Sequence, residues 1–403
     1  MKYRNMAKNF SIAQKSDYKT MLEAVKCRPN DLAYGSCRIK KNKEIAKVAV
    51  KNSGNALEHV SEKLKDDFDV VMAAVTNNGM SLKYASTRLR ADLEIVKAAT
   101  LSTKGCAIYY ASYVIRDNED FAVWLMGISP SSYKYLSNRL MQDLDIFSLA
   151  LSGYPKIFSF APDSLKDNNY AAYDAVLARP KNLKYVSNRL RNEEYIVIPA
   201  LAHDPKLLKY ASDRIRDNRK IIEFMLSLRP SSLKYVPDKF RDDEDLVIRT
   251  VKTGSILCTD YVSDRVKRSR RFWVAAINAG KVVLDDIPDE LKDDYELFEL
   301  AVEKNPLCIK YASERIRDSM LALTALQENP RCLEYVSDRL QRDSKLVLDI
   351  LRLNPDFDYI PEQLAGDYNF AREAIKIRGS IIFLLSDDLK KNREAIMRLL
   401  KEA

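Results

Sequence analysis

Leu82-Lys83-Tyr84-Ala85-Ser86-Thr87-Arg88-Leu89-Arg90-Ala91-Asp92 is the stretch on which the fold turns, because versions of it return along the whole chain. With its Tyr as an anchor, copies stand at Tyr34, His59, Tyr84, Tyr110, Tyr135, Phe160, Tyr185, Tyr210, Tyr235, Tyr261, Asp286, Tyr311, Tyr335, Tyr359 and Leu384, in steps of 24 to 26 residues. A unit that small cannot bury an apolar face alone and must stack on its neighbours. The even step leaves no room for a linker or an inserted domain.

Working outward from the anchor, the eighth residue after it is Asn, Asp or Ser in fourteen of the fifteen copies, with Glu193 the exception. These side chains accept from the free N–H groups of a helix's first turn, so a helix begins there. Apolar residues then recur at spacings of three and four, as in Ile95, Val96, Ala98 and Ala99, which is the pattern of an amphipathic helix on a core. A Pro or Gly ends each copy, from Pro29 and Gly54 through Gly254 and Pro355 to Gly379. Between that stop and the next cap a shorter stripe, such as Leu82, Ala85 and Leu89, predicts a second helix. Two residues after the anchor only Ser or Pro occurs. Pro disfavours helical geometry in the residue before it, so this helix is predicted to break at the anchor and restart. Pro199, inside a long helix, predicts a kink. The expected fold is all-α: an α-solenoid, or superhelix, of about fifteen two-helix repeats, continuous over residues 1–403, with a capping segment at 1–30, repeats at 31–391 and a capping helix at 392–403.

Composition agrees with a large core under a well-solvated surface: 46% hydrophobic, 31% charged and only ten Gly. Six Cys stand at 27, 37, 106, 258, 308 and 332 with no metal-ligand or disulfide spacing, which points to reduced thiols in the cytoplasm. Cys258, Cys308 and Cys332 share one repeat position and read as small core residues. No apolar h-region opens the chain and no run is long enough to span a membrane. Export by a route that reads no N-terminal signal is compatible with this. The two His are His59, in a Tyr anchor position, and His203, beside an Asp-Pro stop. Neither belongs to a metal, nucleotide or hydrolase motif, so no enzyme, metal or cofactor is expected.

The pattern L-K-Y-A-S-x-R-L-R-x-D, followed by an apolar helix and N-G or N-P, resembles the bacterial repeat family numbered 4116 among domains of unknown function. It is carried best by Leu82 to Asp92 and Leu183 to Arg191, and least by the copies at Asp286 and Leu384. The resemblance implies a helical repeat found in bacteria, their phages and some secreted effector-like proteins. It implies no activity and no site.

Charge supplies the candidates for function. The fourth residue after the anchor is basic in ten copies and the sixth in twelve, so stacking would turn them into ladders beside the anchor Tyr. With a net charge of +9, such a surface suits an acidic protein or a phosphate backbone. Acidic neighbours such as Asp92, Asp217 and Asp243 offer the competing reading of paired surface charges. Balance fails at Asp264 to Trp273, where Ser269 replaces the acidic cap and Arg265, Lys267, Arg268, Arg270 and Arg271 crowd together. These cations, with Trp273 and the nearby ladder residues Tyr210, Arg214, Tyr235, Lys239 and Tyr261, form the expected partner-binding surface. The expected function is a non-catalytic, monomeric scaffold for a protein partner. Binding of nucleic acid or another polyanion through the basic ladder is the alternative, and a membrane is not expected.

Overall fold

Most repeats prove to have three segments. In the computed structural model, which describes residues 7–253, 259–280, 284–354 and 356–402, a 3-10 helix Pro130–Tyr135 ends on the anchor. Leu136 then turns to extended geometry, φ −63° and ψ 169°. A single α turn, Asn138–Met141, follows, and then the long helix Leu144–Gly153. The predicted break at the anchor is therefore present. What periodicity missed is that the short helix before it is 3-10, a geometry that shares the three-residue spacing over so few residues.

The long helices begin where the polar caps predict. Asn168 Oδ1 accepts from Ala171 N at 3.0 Å and Asp92 Oδ1 from Ile95 N at 3.1 Å. Glu193 and Ser269 make no side-chain cap bond. The Pro and Gly positions act differently from the prediction. The long helix ends one residue earlier in extended backbone, as at Arg179, and Pro180 is the first residue of the next 3-10 helix, where a missing N–H costs nothing. Gly105 and Gly280 alone among the described glycines have positive φ. Gly54 and Gly79 instead allow close approach: a Cβ on Gly79 would lie 2.1 Å from the Ala99 carbonyl oxygen of the next repeat. Gly254 and Pro355 lie outside the described residues.

Pro199 does not interrupt its helix, which runs from Glu194 to His203 like its ten-residue neighbours. The carbonyl that a Pro199 N–H would have bonded belongs to Tyr195, which is 45% exposed, so water can take the donor's role. The buried face is the predicted one. Ile196, Val197, Ala200 and Leu201 are at most 1% exposed, and so are Leu140 and Leu190 from the short turns.

Neighbouring repeats are tied by backbone as well as by packing. The N–H of the Ser two after the anchor donates to the carbonyl six after the previous anchor, as Ser86 to Lys65 at 2.9 Å and Ser187 to Lys166 at 3.0 Å. Ser36 makes the same bond to Lys15 at 2.9 Å. That bond shows that the expected N-terminal capping segment is itself a repeat, with Asn9 at the anchor and Asp17 capping a long helix Tyr18–Cys27. Asn9 in place of the anchor Tyr conceals this repeat in the sequence. At the other end Arg393–Glu402 is the long helix of the last repeat.

The chain is thus an all-α solenoid of tandem repeats. It divides into two compact units, Met1–Ile215 and Arg216–Ala403, each built from these repeats. Among the described residues no helix is long and apolar enough to cross a membrane.

Candidate functional site

Most of the first basic ladder is engaged by the stack. Among the described residues, seven cations four after the anchor, Arg88, Arg139, Arg189, Arg214, Arg265, Arg315 and Arg339, donate through Nε to an Asp or Asn of the preceding repeat at 2.9–3.0 Å. The Ser two residues earlier donates to the same acceptor: Ser187 to Asp167, Ser263 to Asp242, Ser212 to Asn192. One terminal guanidinium nitrogen also reaches that residue's backbone carbonyl, as in Arg189 to Asp167. This Ser-x-Arg clasp holds the carboxyl of Asp167 below its ordinary range through the Ser187 hydroxyl and then Arg189. Asp242 is lowered in the same way by Ser263 and Arg265. Where the acceptor is replaced by Lys41 or Ala91, the following Ser61 and Ser112 hydroxyls are left buried without a partner. In the second ladder, six after the anchor, six cations pair within their own turn, as Lys65 with Glu62 at 2.8 Å and Arg317 with Glu314 at 2.7 Å.

This assigns Arg214 and Arg265 to the clasp. Lys239 pairs with Asp217 at 2.8 Å in the same register. The cluster around Ser269 is also corrected. Arg270 sits 2.7 Å from both Asp294 and Glu296, and Arg271 lies 3.2 Å from Asp245 and 3.6 Å from Glu244. Their acidic partners lie 24 to 27 residues away in the neighbouring repeats, beyond any local reading. Trp273 is fully buried, with its Nε1 donating to the Lys267 carbonyl at 2.6 Å, so it is a core residue. Lys267 and Arg268 make no ion pair among the described residues. An open cleft of about 560 Å³ is lined by Lys252, Arg270 and Arg271, and neither Lys267 nor Arg268 lines it. Tyr261 is half-buried at the end of a short 3-10 helix. Cys308 and Cys332 are buried as expected, and burial pushes the Cys332 thiol up to about 11. Cys258 lies outside the described residues. His59 is half-buried in its anchor slot, and burial lowers its pKa.

A further row of cations lies on the edge formed by the 3-10 helices. There the Lys before the anchor places Nζ over the anchor ring: Lys83 over Tyr84 at 4.5 Å, Lys134 over Tyr135 at 4.9 Å, Lys184 over Tyr185 at 4.4 Å and Lys209 over Tyr210 at 5.0 Å. Lys234 over Tyr235 and Lys310 over Tyr311 repeat it in the second unit at 5.0 and 4.4 Å. Two consecutive edges, Pro180–Tyr185 and Pro205–Tyr210, enclose a cleft of about 320 Å³. Its lining includes Arg179, Lys181, Lys184, Lys206 and Lys209, with Asp204 the one carboxylate. Asp204 is already engaged, accepting from the Lys206 N–H at 3.1 Å. Arg179 and Lys181 have no ion pair among the described residues. Charge distribution agrees: residues 1–215 hold 33 basic and 23 acidic side chains, an excess of ten, whereas residues 216–403 hold 33 and 34. Of the expected site only Tyr210 lines this cleft. The missed signal was the twin hexapeptide Pro180-Lys181-Asn182-Leu183-Lys184-Tyr185 and Pro205-Lys206-Leu207-Leu208-Lys209-Tyr210, whose Lys lie before the anchor, on the other side from the ladders.

The repeats match the family model described as Domain of unknown function (DUF4116) seven times, over residues 17–65, 67–116, 125–166, 193–241, 218–267, 275–317 and 321–365. The chain belongs to the DUF4116 family. A DUF4116 match spans about two of the units described above, and the first begins at Asp17, the cap of the N-terminal repeat. No curated protein and no solved structure matches the chain. In this DUF4116 chain the stretch 167–192, which carries half of the basic cleft, falls between matches.

Proposed function

We propose that this chain is a non-catalytic scaffold that holds a protein partner on the surface of its stacked repeats. The observation that carries the reading is the division of the cations. Most of the first ladder and half of the second are engaged in clasps and turn pairs that build the stack, while Lys181, Lys184 and Lys209 of the 3-10 edge make no ion pair among the described residues, are exposed and converge on one cleft. A side chain that adds electrostatic repulsion and stabilises little in its own fold is accounted for by an external anion. Aromatic surface adds to it: Tyr109 is 63% exposed and Phe160 47%, both on that edge. On this reading the stack works in the cytoplasm as a monomer, in keeping with six Cys that lack disulfide spacing.

A second reading, nonspecific binding of nucleic acid, is favoured by the excess positive charge of residues 1–215. The two separate by experiment. Purification of the tagged chain from its native cell with and without nuclease should leave the partner bound after digestion. Loss of all bound material on digestion, with a steep fall of affinity in salt, would transfer the reading to nucleic acid.

A further inference from the structure

We infer that the cleft between Pro180–Tyr185 and Pro205–Tyr210 is a docking site for an extended acidic segment of a protein, with a carboxylate at about every third residue. The inference rests on the scaffold reading and gives it a site and a ligand chemistry. Its first support is charge. Arg179, Lys181, Lys184 and Lys209 converge on one cleft in which the single carboxylate, Asp204, is occupied by the backbone of its own 3-10 helix. Every clasp Arg, by contrast, is answered by an Asp or Asn.

The second support is spacing. Stacked helices lie about 8 to 10 Å apart, and an extended chain advances about 3.3 Å per residue. One carboxylate in about three therefore meets each successive edge Lys. Lys134, Lys184 and Lys209 precede the anchors Tyr135, Tyr185 and Tyr210; at the fourth anchor of this stretch, Phe160, Ser159 takes that place, Lys134 reaches over the ring at 5.2 Å, and the cation of the repeat itself is Lys156, the position of Lys181 and Lys206 in their hexapeptides. Those four anchors span three steps, enough for a segment of about eight or nine residues. On the N-terminal side Tyr109 takes the place of the edge Lys and ends this run, before Lys83 and then Glu58.

The third support separates a peptide from a nucleic acid. Single-stranded nucleic acid is held by stacking bases on aromatic faces, and here each of Tyr185 and Tyr210 has a face covered by its own Lys. A duplex presents about one charge per 1.7 Å, far denser than this edge can match. Spaced carboxylates fit what the edge offers.

The test uses the full chain and a fluorescein-labelled nine-residue peptide with Glu at every third position and Ser and Gly between, read by anisotropy at low salt. Binding should weaken about tenfold or more in Lys184→Glu with Lys209→Glu, and persist in Lys184→Arg with Lys209→Arg. It should be unchanged by the equal charge reversal Lys51→Glu with Lys63→Glu, exposed positions of the same unit. Unfolding midpoints of all three variants should match that of the parent chain, because every altered side chain is exposed. Absence of peptide binding, equal losses in both Glu pairs, or displacement of the peptide by a short oligothymidylate at lower concentration than by unlabelled peptide would each overturn the inference. If nuclease-resistant capture of a cellular protein survives Lys184→Glu with Lys209→Glu, this site fails while the scaffold reading stands. If the parent chain captures nothing after nuclease, the scaffold reading fails with it.

Discussion

At the residue scale the molecule is organised by one small device, the Ser-x-Arg clasp. Ser137 shows how much it does with one hydroxyl, which donates to Asp117 and accepts the Leu140 N–H at 3.2 Å, so that it joins two repeats and caps a turn at once. Ser137→Ala should cost about 1 to 2 kcal/mol in chemical denaturation, because the cap and a buried hydroxyl's bond are lost together. The clasp also predicts a pH dependence. Asp117 and Asp167 titrate below their ordinary range, chiefly because Ser137 and Ser187 donate to them and then because of Arg139 and Arg189. A carboxyl whose folded pKa is depressed contributes stability above its unfolded value of about 3.9, and that contribution is lost as pH falls through the folded value. Stability should thus be flat near neutrality and fall below about pH 4. Nature supplies the uncharged form of the clasp in Asn192, which accepts from Ser212 at 2.7 Å and Arg214 at 2.9 Å. Asp117→Asn with Asp167→Asn should keep the bonds and make the acid transition shallower when followed by circular dichroism. An unchanged acid profile would mean that these carboxyls are not coupled to folding.

At the element scale, the repeat was legible where its signal is periodic and opaque where partners lie a repeat away. The long helices, their caps and the buried quartet such as Ile196, Val197, Ala200 and Leu201 follow from spacing alone. Trp273 was legible by the same rule, since it falls on a core position of its helix, but the crowd of cations around it drew it to the surface reading. The partners of Arg270 and Arg271 were not legible, because they come from adjoining repeats and stacking register sets the distances. The role of Gly was half legible. Gly79 follows the end of a helix much as expected, yet the reason for Gly is the approach of the Ala99 carbonyl. Gly79→Ala should therefore destabilise by about 1 to 3 kcal/mol, through overpacking against backbone that cannot yield easily. Gly127, inside the long helix Glu119–Ile128, has open space where an alanine methyl would stand, so Gly127→Ala should stabilise by about 0.5 to 1 kcal/mol. Thermal unfolding of the two variants checks the opposite signs.

At the scale of the whole molecule, repetition fixes how damage spreads. Each repeat buries its apolar face only against the adjacent ones, and the backbone bonds that accompany this packing also run from one repeat to the next, as Ser137 to Arg116 at 2.9 Å and Ser187 to Lys166 at 3.0 Å. Stability in such a stack is close to a sum of repeat and nearest-neighbour terms. Leu140 and Leu190, both fully buried, sit two repeats apart in the first unit. Replacing either by Ala should cost about 2 to 5 kcal/mol at its own site. The loss should appear in native-state hydrogen exchange as faster exchange in the altered repeat and its immediate neighbours. For Leu140→Ala these are the long helices Glu119–Ile128, Leu144–Gly153 and Asn169–Ala178. Protection in Lys43–Asn52, three repeats beyond the first of them, should stay at its original level. Equal loss of protection throughout residues 7–215 would show that the first unit opens as one cooperative body, and the nearest-neighbour account would then be wrong for this chain.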